Sequence, residues 1–142
     1  MNIKKMNIIS GSDASGILQN NGVIENALIN GDVKLSWFQT YDKIVIRNSI
    51  VLGRIDLEYV EVKHLDLTGT TVAVMFLYNC SGIQSVSLNE NSRMLAIIVD
   101  RRKDDLDRGD GYKELASGWT AMSSGGLAVY HHHKQCIERP VH

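Results

Sequence analysis

Three stretches of the chain repeat one another in phase: YDKIVIRNSIV (residues 41–51), VKHLDLTGTTV (62–72) and IQSVSLNENSR (83–93). Each stretch begins 21 residues after the previous one, and apolar residues return at the same three places in all of them. A repeat with a fixed period of 20–50 residues is the signature of a stacked, repetitive fold. The apolar positions in phase are Tyr41, Val62 and Ile83; Ile44, Leu65 and Val86; and Ile46, Leu67 and Leu88.

The rest of each repeat is also in phase. Each stretch carries a small polar residue eight positions after it begins, and each is followed by an apolar residue in the linking segment. A single turn of this kind cannot bury its apolar side alone, but turns stacked about 4.8 Å apart bury it together. The sequence therefore predicts a mainly β, right-handed solenoid of about 21-residue repeats. The small polar residues are Ser49, Thr70 and Asn91, and the linker residues are Ile55, Phe76 and Ile97.

The repeat resembles the leucine-rich repeat, whose pattern is L-x-x-L-x-L-x-x-N-x-L. The resemblance covers about residues 41–100, with Thr70 in the place of the pattern's asparagine and Asn91 matching it. It implies a strand in each repeat and a concave sheet surface used for binding. The linkers RIDLEYVEV and VAVMFLYN read as strands rather than helices, which favours a β-helix-like solenoid with two or three strands per turn. An antiparallel sandwich is the third alternative.

The chain length of 142 residues predicts one domain. We expect residues 1–22, which contain the Gly/Ser-rich stretch SGSDASG as a loop, to form an N-terminal cap, and residues 23–100 to form the repeat array. Residues 101–142 begin with a charged stretch, and we expect them to form a C-terminal cap with a short helix near residues 112–117. Caps are expected because a stack of repeats exposes apolar surface at both ends.

Composition excludes several classes of function. The net charge is −1, without the basic excess that phosphate binding requires. The sequence contains no apolar run of about 20 residues, so we expect no membrane span. Two cysteines are too few for a disulfide framework. Because no secretion signal is recognisable either, we expect a cytoplasmic protein.

No motif of a nucleophilic or phosphate-binding enzyme is present in the sequence. We therefore expect a non-enzymatic module that binds another protein, such as a small cytoplasmic or phage-encoded inhibitor or adaptor. Two alternatives stay open. One is a small metal-dependent enzyme, and the other is a structural protein that assembles with itself into a homo-oligomer.

The metal alternative depends on the stretch LAVYHHHKQC near the end of the chain. If this stretch is a strand, His131 and His133 share one face, because side chains alternate across a strand. Cys136 follows after a turn and supplies a third candidate ligand. This ligand set suits zinc, with a fourth position open to water. The alternative interpretation of this stretch is a solvent-exposed polar tail without a metal.

A partner is expected on the polar positions between the apolar ones, because these point out of the core. Reading across repeats gives parallel columns of such residues. Arg47 and His64 are the expected anchors, since Arg is enriched at binding hot spots and His64 lies centrally. Their truncation is expected to leave folding intact. The predicted partner-binding residues are Lys43, Arg47, Lys63, His64, Asp66, Thr68, Ser87 and Asn89.

Overall fold

The structure is a computed structural model that describes residues 5–77, 82–100 and 128–132. The described residues contain a single helix and many short strands. Their bounds are β1 Asn7–Ser10, α1 Gly11–Gln19, β2 Val23–Glu25, β3 Ala27–Asn30, β4 Val33–Lys34, β5 Gln39–Arg47, β6 Ile50–Asp56, β7 Val60–Asp66, β8 Thr71–Phe76, β9 Gly82–Ser87, β10 Arg93–Asp100 and β11 Ala128–His132.

The strands form two parallel sheets that the chain visits alternately. The four-stranded sheet has the order β2-β5-β7-β9, and the seven-stranded sheet has the order β1-β3-β6-β8-β10-β11, with β4 also paired to β6. Each repeat therefore supplies one strand to each sheet, and the linkers are strands. The predicted β-solenoid is confirmed, with about four turns of about 21 residues each.

The core lies between the two sheets and is built from columns of aliphatic side chains. In the four-stranded sheet, Ile44 of β5 is in register with Leu65 of β7, and both are fully buried. Val62 and Ile83 are likewise in register and buried. Because each turn places an apolar residue at the same height in the column, every core side chain packs against the equivalents above and below it.

The columns of the seven-stranded sheet differ from the prediction at one linker position. Ile55 of β6 is in register with Met75, not with Phe76, and Met75 is in turn in register with Ile97. The cause is an irregularity in β6 between Val51 and Arg54, where the register with β8 shifts by one residue. Met75 is therefore fully buried, whereas Phe76 is only half-buried.

Buried hydroxyl groups line the corner where the chain leaves the four-stranded sheet. Thr70 Oγ1 accepts from Ser49 N (3.3 Å) and donates to Ile46 O (2.6 Å). In the next turn Asn91, which is in phase with Thr70 in the sequence, is exposed; Ser92 is the buried residue, and its hydroxyl donates to a main-chain carbonyl at 2.9 Å. These bonds satisfy backbone groups that a corner would otherwise leave unpaired in the interior.

The stretch SGSDASG was predicted to be a loop, and this was wrong. It begins helix α1, whose N-cap Ser10 accepts a hydrogen bond from Asp13 N at 2.9 Å. Serine at the N-cap and an acidic residue in the first turn are strong helix-start signals that outweigh two glycines. The helix packs against β1 to β5 and buries Ala14 and Leu18 in the core.

The last described strand, β11, pairs in parallel with β10 and extends the seven-stranded sheet by one position. Residues 101–127 and 133–142 lie outside the described residues, and with them the helix predicted near residues 112–117. In the described part of the chain, the helix is too short to cross a membrane.

Candidate partner-binding face

The outward side of the four-stranded sheet carries the polar columns expected from the sequence. Lys43 of β5 is in register with His64 of β7, which is in register with Ser85 of β9. Val45 and Asp66 are in register in the same way. We call the outward surface of β5, β7 and β9 the strand face.

Asp66 does not have the exposed position predicted for it. Only 5% of its surface is accessible. Its Oδ1 accepts from Thr68 N (3.0 Å) and from Thr68 Oγ1 (2.6 Å), and its Oδ2 accepts from Arg47 Nε at 2.8 Å. Burial by itself would raise the pKa of Asp66, but the hydrogen bonds from Thr68 and the nearby Arg47 outweigh it and hold the pKa below its ordinary value. Asp66 therefore has a structural role at the end of β7, where it bonds to Thr68 and Arg47.

Arg47 is held between two carboxylates. It bonds to Asp66, and its Nη1 lies 3.8 Å from Glu25 Oε1 on the neighbouring strand β2. The hydrogen bond to Asp66 and the negative charges of both partners raise the pKa of Arg47. Part of the guanidinium stays accessible, so Arg47 combines a structural contact with a surface that a partner could reach.

His64 is fixed on both sides by serine hydroxyls. Ser85 Oγ donates to Lys63 O at 3.2 Å and lies 2.5 Å from His64 Nδ1. On the other side of the ring, Ser87 Oγ lies 3.1 Å from His64 Nε2. The imidazole is thus pre-oriented on the strand face, which lowers the entropy cost of using it in binding.

The remaining predicted residues divide into exposed and internally bonded groups. Lys63 Nζ lies 3.4 Å from Asp42 Oδ1 in an exposed ion pair, and Lys43 is exposed. Asn89 instead turns into the corner, where its Oδ1 accepts from Gly69 N at 3.0 Å and from Asn91 N at 3.0 Å. The structure thus leaves Lys43, Lys63, His64 and part of Arg47 accessible on the strand face.

An aromatic cluster that was not predicted from the sequence lies at the edge of this face. Trp37, Phe38 and Tyr59, which we call the aromatic corner, lie where the chain enters β5 and β7. The Phe38 and Tyr59 rings stack with centroids 5.0 Å apart, and Trp37 meets Tyr59 edge-on at 5.1 Å. Phe38 is 78% and Trp37 56% exposed.

A signal for this cluster does exist in the sequence. Phe38 and Tyr59 are 21 residues apart and so occupy the same place in successive repeats. Both have left-handed backbone conformations, with φ of 59° and 58°, which bulky residues rarely adopt. Phe38 N donates to Tyr59 O at 2.6 Å, which stacks the two corners. The 21-residue spacing of Phe38 and Tyr59 would therefore have predicted that the two aromatic residues lie side by side in successive turns.

The candidate zinc ligands cannot be placed as a group. His131 belongs to β11, whereas His133 and Cys136 lie outside the described residues. Within residues 5–77 and 82–100 no group of three or more metal-ligating side chains is found. The zinc site stays a prediction from the sequence.

Comparison with known proteins gives no match. No protein-family profile, no curated protein and no solved structure is significantly similar to this chain. The fold is therefore defined by its own strand register, and the class it establishes is the β-solenoid.

Proposed function

We propose that the protein is a non-enzymatic module that binds another protein through the strand face and the adjoining aromatic corner. The observation that carries the proposal is a cluster of three mutually packed aromatic rings, two of them exposed, beside a set of accessible cationic side chains. Trp, Tyr and Arg are the residue types most enriched at binding hot spots. Large exposed aromatic groups on a monomer surface are typical of interaction sites.

The geometry also favours binding with a small loss of side-chain conformational entropy. The aromatic rings of the corner hold each other in place, and the two serines hold His64. Pre-organised side chains lose little freedom when a partner docks, so more of the contact free energy appears as affinity. Lys43 and Lys63 favour a partner with negative charge on its rim.

The leucine-rich-repeat resemblance supports the proposal in one respect only. It implies a surface of parallel strands whose outward columns contact a partner, and the strand face has such columns. A role as a small inhibitor or adaptor in the cytoplasm is part of this proposal.

The experiment is quantitative affinity capture from the native host with the chain as bait, read by mass spectrometry. The test variant is Trp37→Ser/Phe38→Asn, with Asn chosen because it tolerates a left-handed backbone. The matched control is Leu52→Ser/Leu95→Ser, which removes two similarly exposed apolar side chains from the opposite sheet.

A protein partner that is captured by the wild type and by the control, but reduced at least tenfold by the aromatic-corner variant, is the expected result. A second variant, Lys43→Ala/His64→Ala, extends the test to the strand face. Equal capture by all variants would place the binding site elsewhere on the molecule. Circular dichroism of each variant verifies that the fold is retained.

A further inference from the structure

A groove runs along the corner at the other end of the strands of the four-stranded sheet. Its volume is about 450 Å³, within the range of ligand sites. The lining consists of two cations, three carboxamides, a methionine and a glycine, with no carboxylate among them. These residues are Lys5, Met6, Asn26, Asn48, Gly69, Asn91 and Arg93.

Five of the lining residues form one column along the solenoid axis. The registers of β1 with β3, β3 with β6, β6 with β8 and β8 with β10 bring them to equivalent corners of successive turns. With about 4.8 Å between turns, the column is about 19 Å long. The column consists of Met6, Asn26, Asn48, Gly69 and Asn91.

Gly69 is the fourth of the five positions in this column and lies between Asn48 and Asn91. Its φ is +68°, and a Cβ atom there would lie 2.3 Å from Asn48 Oδ1. The corner therefore has no side chain at this turn, while Asn26 and Asn48, also left-handed, present exposed carboxamides at the two preceding turns. A carboxamide offers both donors and an acceptor, which suits a peptide backbone.

The two cations lie at opposite ends of the column. Lys5 precedes β1, and Arg93 begins β10, four strands away in the seven-stranded sheet. Among the described residues neither forms an ion pair, and Arg93 Nη1 donates only to the main-chain carbonyls of Glu90 and Ser92. The groove is thus positively charged at both ends and polar, without charge, in between.

We propose that this groove binds an extended acidic peptide segment with carboxylates at its two ends. An extended chain advances about 3.3 Å per residue, so a groove of about 19 Å holds about six residues. The Asn side chains hydrogen-bond the peptide backbone, Lys5 and Arg93 pair with the terminal acidic side chains, and Met6 supplies an adaptable apolar contact. The proposal does not depend on the binding function assigned to the strand face.

The test is isothermal titration calorimetry at low ionic strength with three capped peptides. EGSSGE has its acids at the ends, EEGSSG has the same composition with the acids adjacent, and KGSSGK reverses the charge. We expect EGSSGE to bind about fivefold more tightly than EEGSSG, because only the former reaches both cations, and KGSSGK not to bind.

Charge-neutralising variants assign the contacts. Lys5→Gln and Arg93→Gln should each weaken EGSSGE binding about fivefold, the effect of losing one exposed ion pair. Lys63→Gln, a lysine on the strand face, is the matched control and should bind EGSSGE as the wild type does. The aromatic-corner variant should also bind EGSSGE normally, so this test and that of the strand face succeed or fail separately.

Three outcomes overturn the proposal. These are absence of EGSSGE binding, equal affinity for the two acidic peptides, and equal losses in Arg93→Gln and Lys63→Gln. A trimer of galacturonic acid completes the set. If it binds more tightly than EGSSGE in an Arg93-dependent manner, the groove recognises an acidic saccharide and not a peptide.

Discussion

Replacement of Asp66 by alanine tests the claim that a residue on the strand face has a mainly structural role. The carboxylate accepts two bonds from Thr68 and one from Arg47, and it is almost fully buried. Losing the acceptor for the two Thr68 donors costs about 1 kcal/mol each or somewhat more. The contact with half-exposed Arg47 adds less than the bonds to Thr68, because solvent screens it. We expect Asp66→Ala to lower the free energy of unfolding by about 3 kcal/mol.

The matched control is Asp42→Ala. Asp42 is also an aspartate on the strand face with a cationic partner, Lys63, but its side chain is 81% exposed. Its replacement should change the free energy of unfolding by no more than about 0.5 kcal/mol.

The assay is urea unfolding followed by circular dichroism. With an m-value of about 2 kcal/mol/M, the Asp66→Ala midpoint should fall by about 1.5 M. If Asp66→Ala and Asp42→Ala differ by less than about 1 kcal/mol, the bonds to Asp66 do not stabilise the corner as described.

The same carboxylate predicts a pH dependence. Since the pKa of Asp66 is lower in the folded than in the unfolded chain, its ionised form adds stability above its ordinary pKa of about 4. That stability is lost as the pH falls through the lower, folded-state pKa. The difference in unfolding free energy between wild type and Asp66→Ala should therefore be constant above about pH 5 and shrink below about pH 4. A difference that does not change down to pH 2.5 would contradict the assigned cause.

Further predictions concern packing and backbone conformation. Ile55→Ala, in the centre of a core column, should cost about 2–5 kcal/mol of unfolding free energy, whereas the exposed Leu52→Ala should cost less than about 0.5 kcal/mol; urea midpoints distinguish them. Gly69→Ala should destabilise by about 1–3 kcal/mol because of its positive φ and the contact with Asn48, and a wild-type melting temperature would refute this. Gly16→Ala, in helix α1 with open space around its Cβ, should stabilise by about 0.5–1 kcal/mol, and thermal unfolding measures the gain.

The repeat phase was enough to predict the solenoid. Tyr41, Val62 and Ile83 differ in size, yet all are apolar in one column, so the pattern survives without any similarity of individual residues. Because strand geometry is fixed, the return of apolar residues at a constant spacing is the strongest signal of this fold in the sequence. The strand-like linkers likewise anticipated the second sheet.

The differences from the predicted columns lie where the strand register departs from the 21-residue period. The irregularity in β6 shifts Met75 into the column predicted for Phe76. The offset of 22 residues between β8 and β10 likewise aligns Ser92, and not Asn91, with Thr70. A one-residue shift moves a side chain to the other face of a strand, and no periodicity argument can place such a shift in advance.

The candidate site was predicted less completely than the fold. The columns of the strand face followed from side-chain alternation, but the burial of Asp66 depends on its bonds to Thr68 and Arg47 at the corner. For the same reason, Arg47→Ala is no longer expected to leave folding unaffected, since it removes the cation beside a buried carboxylate. Phe38 was missed because its exposed corner position opposes the usual burial of large apolar residues.

The regular pairing of each strand with the strand one turn away has a consequence for how the chain reaches its native state. Strand pairing from β1 to β10 joins residues 20–22 positions apart, so the loops that close in this part of the solenoid are of similar length and of similar entropy cost. A separation of this size in 142 residues gives a relative contact order of about 0.15, as in mixed α/β domains of intermediate folding speed. Once two adjacent turns have paired, each further turn adds to an existing edge, and folding propagates along the axis as it does in other one-dimensional arrays.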